Sequence, residues 1–169
     1  MGIHSACKPK KTILIWIFTV LILAVMANPV SADSTLTVSG LSKGQALYVP
    51  AYSHIYIGHK ATPYMLTVTL SIRNIDPDLP FTLETVDYHG TEGKLLKHYL
   101  DNPMTIAPMA TVRYVVLAPD KTGGSGANFI VKWSSAISLN PPIVEAVMIG
   151  TQSQQGISFT SRGQEILKK

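Results

Sequence analysis

Ser125 sits in the densest glycine run of the chain, Gly123-Gly124-Ser125-Gly126-Ala127. A serine framed as G-x-S-x-G can be a nucleophile raised on a sharp strand-to-helix turn. Here Ala127 replaces the last glycine, and residues 127–133 alternate like a strand, with Phe129, Val131 and Trp133 on one face. A phosphate-cradling loop would end in Gly-Lys followed by Ser or Thr, and this run does not. The glycines therefore read as a tight hairpin turn whose positive φ angles lead Asn128 and Phe129 into a sheet. A binding loop presenting Ser125 and Asn128 is the functional alternative.

Tyr48, Pro50, Tyr52, His54 and Tyr56 fall on alternate positions. If that strand is continuous, its Tyr-His-Tyr stripe offers rings with apolar bodies and polar tips, suited to stacking a sugar or gripping a peptide. A half-exposed edge packed by a loop would have the same composition. His54, His59, His89 and His98 match no short metal-binding spacing, so no metal ligand and no cofactor is expected. Asp87 shares a face with His89. Glu145 is the one charged residue in the apolar segment 143–149. A carboxylate in a central strand needs a partner, with Arg162, Lys132 or a backbone donor as candidates. Together with Arg162 it is also a polar anchor for a ligand.

These side chains require strands to hold them. Residues 64–74 give the clearest one, with Leu66, Val68, Leu70 and Ile72 alternating against Thr67, Thr69, Ser71 and Arg73. Residues 81–89 also alternate, but the phase slips between Leu83 and Val86. One extra residue near Glu84 and Thr85, a β-bulge, would return Phe81, Leu83, Val86 and Tyr88 to one face. Two glycines in 89–93 turn the chain into 94–100. Further strands follow at 111–117, at 143–149 as a central strand, and at 156–161 with Ile157 and Phe159 inward. Seven to nine short strands without helical spacing predict an all-β fold, an immunoglobulin-like antiparallel β-sandwich following an N-terminal signal peptide.

That leader is read from residues 1–32. Lys8, Lys10 and Lys11 precede the apolar run 12–26, and Val30-Ser31-Ala32 supplies small residues for cleavage. The alternative is an N-terminal membrane anchor, residues 12–30, although a spanning helix uses about 20 apolar residues. Cys7 lies before the apolar run, which argues against a lipoprotein. Residues 33–44 then form an arm, 45–163 the β-sandwich domain, and 164–169 a charged tail expected to fray. With the three leader lysines gone, 11 of the 14 basic residues face 10 acidic ones. The formal charge of +4 thus belongs mostly to the leader, and nucleic acid is excluded as a partner. Loss of Cys7, the single cysteine, also excludes a disulfide-linked partner.

Tyr48-Val-Pro-Ala-Tyr-Ser-His-Ile-Tyr56, Leu70-Ser-Ile-Arg-Asn74, Gly123-Gly-Ser-Gly-Ala-Asn-Phe129, Glu145-Ala-Val-Met-Ile-Gly150 and Gln155-Gly-Ile-Ser-Phe159 resemble the bacterial family called domain of unknown function 3124. The resemblance runs from about Gln45 to Gly163. It implies bacterial origin and export, and it brings no catalytic residues. The expectation is an exported, non-enzymatic binding or envelope-interaction module in the periplasm or cell envelope. Its partner would be an envelope polysaccharide, a peptide or a protein, and it would meet the membrane only if the leader stays uncleaved. The candidate binding residues are Tyr52, His54, Tyr56, Ser125, Asn128, Glu145 and Arg162. Two other readings stand beside this one: a periplasmic hydrolase using Ser125 with His54 or His98, and a periplasmic metal-binding protein using the histidines.

Overall fold

The computed structural model describes residues 40–152 and 155–167, with no helix among them. The expected leader and residues 33–39 of the arm lie outside the described residues. Alternation decides most strands. In β4 (Thr67–Arg73), Val68, Leu70 and Ile72 are fully buried while Thr67 and Thr69 face outward. Each such apolar side chain contributes about 1.5–3 kcal/mol when removed from water. The expected strand 64–74 is broken at Leu66, however, whose N–H turns aside to donate to the Ser53 carbonyl at 3.0 Å. Its first part becomes β3 (Thr62–Met65), paired with β2 (His54–Ile57) in a separate hairpin.

All pairings are antiparallel, and two larger sheets share one core. The first sheet runs β12 (Gln164–Glu165), β1 (Ser42–Pro50), β9 (Asn128–Leu139), β5 (Phe81–His89), β6 (Leu95–His98), with β7 (Met104–Ile106) also on β5. The second runs β11 (Gln155–Arg162), β10 (Ile143–Gln152), β4, β8 (Thr111–Val116). The arrangement is sandwich-like: Val49, Leu83, Val86, Phe129 and Val131 from the first sheet and Val68, Leu70, Ile72, Ala146 and Met148 from the second are fully buried in the common core.

The slipped alternation in β5 is a bulge. The β5–β9 register shifts between Leu83 and Thr85, and Phe81, Leu83, Val86 and Tyr88 are all buried. β10 is a central strand, between β11 and β4. The chain beyond Arg162 does not fray at once. Glu165 pairs with Leu47, Gln45 Nε2 donates to Glu165 Oε2 at 3.0 Å, and the Ile166 N–H reaches the Ala46 carbonyl at 2.8 Å.

Two buried polar side chains secure the β4–β5 crossing between sheets. Asn74 Nδ2 donates to the carbonyls of Leu79, Ile106 and Ala107. Asp76 accepts from the N–H groups of Asp78 and Leu79 and from both the backbone and side chain of Asn140. Those donors, led by the Asn140 N–H, hold the Asp76 carboxyl below its ordinary value, against an opposing effect of burial.

Candidate binding surfaces

The Tyr-His-Tyr stripe does not survive as one face, because β1 ends at Pro50 and β2 begins at His54. Between them Ser53 turns inward. Its N–H and hydroxyl both donate to the Gly124 carbonyl, at 3.1 and 2.9 Å. That rotation sends Tyr52 against Phe159 of β11, with ring centroids 5.7 Å apart, so Tyr52 is packing at the core margin. His54 and Tyr56 remain together on the β2–β3 hairpin. Their rings meet edge to face at 5.2 Å, and His54 Nε2 lies 3.2 Å from the Tyr56 hydroxyl. Tyr56 is 56% exposed, and Ile57, His59 and Lys60 beside it are also open to solvent.

The glycine run is not a hairpin. β8 belongs to the second sheet and β9 to the first, so residues 117–127 carry the chain across the core. Only Gly124 within the run has a positive φ, at 75°. The loop is fastened on two sides. Besides the two bonds from Ser53, the Gly123 carbonyl accepts the Thr91 N–H at 2.9 Å and the Thr91 hydroxyl at 3.0 Å. The Gly126 N–H donates to Thr91 Oγ1 at 3.0 Å, and the Ala51 N–H reaches the Ala127 carbonyl at 2.8 Å. Gly123 is required for a close approach, since a Cβ there would collide with the Tyr88 hydroxyl and with Ala127. Tyr88 is itself buried. Removal from water, with the Asp120 carboxylate adding to it, pushes its phenol up to about 12; the nearby Ser53 hydroxyl partly offsets this.

Ser125 is half-buried in this loop, while Asn128 is buried at the head of β9, in register with Pro50 and His89. The histidines proposed as bases for Ser125 have other partners. His54 is with Tyr56, and His98 Nδ1 lies 2.7 Å from Asp87 Oδ1 across the β5–β6 pair. Asp87 therefore meets His98 and not His89, because His98 is its register partner on the neighbouring strand. Among the described residues, no three His, Cys, Asp or Glu side chains converge as a metal site would require.

Glu145 is not enclosed in the core. Val144, Ala146 and Met148 take the buried face of β10, which leaves Glu145 on the outer face with its side chain 24% exposed. Its ion-pair partner is Arg73, with Nε 3.5 Å from Oε1, on the strand opposite to the one expected. Arg162 stands directly across from Glu145 on β11. The candidate residues thus fall into three groups. His54 and Tyr56 share the hairpin, and Ser125 and Asn128 belong to the loop end that adjoins Tyr52. Glu145 and Arg162 occupy the outer face of the second sheet. Sequence reasoning missed Arg73 because its approach to Glu145 depends on the β4–β10 register.

The architecture is that of an all-β protein with two antiparallel sheets on one core and its exposed polar features on a hairpin and a sheet face. The chain belongs to the family described as "Protein of unknown function (DUF3124)", whose pattern matches residues 44–166. A search of curated proteins finds none that matches. A solved structure titled "Crystal Structure of Thermotoga maritima 1070" is similar at 11% identity and a TM-score of 0.44, over 75% of this chain and 95% of that one. At that distance the likeness carries no argument.

Proposed function

We propose that the protein is an exported, non-enzymatic binding module of the bacterial envelope, an immunoglobulin-like sandwich that holds an envelope polysaccharide, peptide or protein against its β2–β3 hairpin. The observation that carries this reading is the exposed Tyr56 ring with half-buried His54 set edge to face against it, on a hairpin separate from both large sheets. Two rings already packed on each other present apolar area and have less side-chain freedom to lose on binding than two isolated ones. Export is supported by the apolar run 12–26 behind three lysines. The non-enzymatic part is supported by the histidines, two of which are committed to Tyr56 and Asp87.

The test is co-sedimentation with bacterial cell-wall polysaccharide in about 1 M salt, where the screening length is about 3 Å and charge contributes little. His54→Ala combined with Tyr56→Ala should abolish co-sedimentation and leave the melting temperature unchanged. Tyr52→Ala should lower the melting temperature because it removes a ring packed on Phe159. Undiminished binding by the His54/Tyr56 variant would remove the hairpin from consideration.

A further inference from the structure

The chain contains three arginines, Arg73, Arg113 and Arg162, separated by up to 89 positions. All three lie on the second sheet, on β4, β8 and β11. All three point away from the core. Ile72, Tyr114 and Phe159 occupy the inward phase of those strands, and the three arginines are exposed. The register brings them together. Arg162, Glu145, Ser71 and Arg113 form one row across β11, β10, β4 and β8. Arg73 stands in the adjoining row, beside Ile143 and Thr111. At about 4.8 Å per strand, the first row spans about 14 Å.

Charge on this patch is unbalanced. Glu145 is the one acidic residue on the four strands, and it engages Arg73. Among the described residues Arg113 and Arg162 have no ion-pair partner, and no lysine shares these strands. Like charges gathered on one sheet face repel, so the cluster is destabilising unless something anionic covers it. The use of arginine alone also matters, because a guanidinium grips a carboxylate or phosphate through two parallel hydrogen bonds and an ammonium does not. Below the charged rows, Thr160, Thr69 and Thr67 alternate across the face with Val147, Val115 and Ile149. The outward residues make a sheet face of hydroxyl and aliphatic columns without an aromatic ring.

We propose that this face binds a linear acidic polysaccharide, whose carboxylate or phosphate groups sit on Arg113, Arg162 and Arg73 and whose hydroxyls meet the threonine columns. A second copy of the chain is a poor occupant because two faces of net positive charge would oppose each other. A bilayer is also poor, because two net charges give little hold and the face has no bulky anchor. The proposal identifies a ligand class for the binding module described above, at a surface separate from its hairpin. The two can fail independently.

The probes are sodium polygalacturonate, neutral dextran, polyaspartate and phosphatidylglycerol vesicles, each titrated against the folded protein at low salt. Polygalacturonate should bind with an affinity that falls as salt rises, and dextran should not bind. Arg113→Ala with Arg162→Ala should weaken polygalacturonate by about 10-fold or more, since each bidentate contact is charge-assisted. Lys43→Ala with Lys94→Ala, which removes the same charge from β1 of the other sheet and from the turn before β6, should change nothing. Glu145→Gln should tighten binding by about 2- to 5-fold by releasing Arg73, a gain that a purely structural ion pair would not produce. The His54/Tyr56 variant should bind polygalacturonate normally. Failure to bind polygalacturonate, equal weakening in the lysine variant, or tighter binding to polyaspartate or vesicles would each overturn the proposal.

Discussion

The glycine loop and the arginine face make opposite use of polar groups. The loop carries the most conspicuous motif in the chain, yet its groups are consumed internally. The Gly123 and Gly124 carbonyls each accept two hydrogen bonds, and the Gly126 N–H is taken by Thr91. The arginine face has no motif, and two of its three cations have no partner among the described residues. Polar groups already paired inside the protein gain little by meeting a ligand, whereas unpaired cations gain a charge-assisted bond. The comparison teaches that unused bonding capacity locates a binding surface better than residue density does. On that ground the loop serves stability, and the face is the proposed recognition surface.

The sharpest way to break that assignment is Gly123→Ala. The new methyl group would collide with the Tyr88 hydroxyl and the Ala127 methyl, so either the aromatic core or the loop must move. Overpacking of this kind costs about 1–3 kcal/mol, and displacement of the loop would add the loss of bonds to Thr91. A fall of about 3 kcal/mol in urea denaturation is expected. A variant as stable as the parent would mean that the loop is slack, and the contrast with the arginine face would disappear.

Tyr88→Phe probes the same junction with a smaller effect of opposite sign. The Tyr88 hydroxyl is buried beside the Ser53 hydroxyl, but Ser53 spends its proton on the Gly124 carbonyl and among the described residues no hydrogen bond reaches the phenol; a buried unsatisfied hydroxyl costs about 1–3 kcal/mol. Removing it should raise stability by about 1 kcal/mol near neutral pH. The pH dependence has a definite sign. The phenol ionises near 10 in the unfolded chain and near 12 in the folded one. Below pH 10 both states hold the proton, and between 10 and 12 the unfolded state loses it first, so stability falls as pH rises. The phenylalanine variant should therefore fall less steeply across that window. Tyr99 and Tyr114, raised chiefly by burial, would account for part of the remaining slope. Identical alkaline profiles for parent and variant would show that Tyr88 is not the buried group assumed here.

What was legible in the sequence was what depends on neighbouring residues. The phase slip between Leu83 and Val86 announced the bulge in β5 because side-chain alternation is a local rule. The central place of β10 followed from apolar residues on both of its faces. Glu145 was nonetheless misplaced, because Ile143, Val147 and Ile149 are only partly covered on a face that looks buried when read alone. The glycine run departs from the expected hairpin for a related reason: turn chemistry bends a chain without specifying which sheet receives it. Tyr52 left its stripe when Ser53 turned to bond Gly124, a partner 71 residues away. The arginine cluster is the extreme case, since it exists only through the pairing of four strands.

The smallest expected effect isolates the face from the fold. Arg113→Ala and Arg162→Ala remove exposed side chains with no ion-pair or hydrogen-bond partner among the described residues, and such substitutions ordinarily change stability by no more than about 0.5 kcal/mol. Relief of repulsion should bring the double variant out level with the parent or slightly above it at low salt. Added salt should then erase the difference, because exposed charges are screened within about 10 Å at 0.1 M. Urea denaturation at two ionic strengths measures both. A marked loss of stability would mean that these guanidinium groups hold the sheet together, which would make the face a structural region like the glycine loop. A neutral or favourable change leaves Arg113 and Arg162 without a role in folding, in contrast to Arg73 with its Glu145 partner, and favours an anionic ligand as what these two guanidinium groups serve.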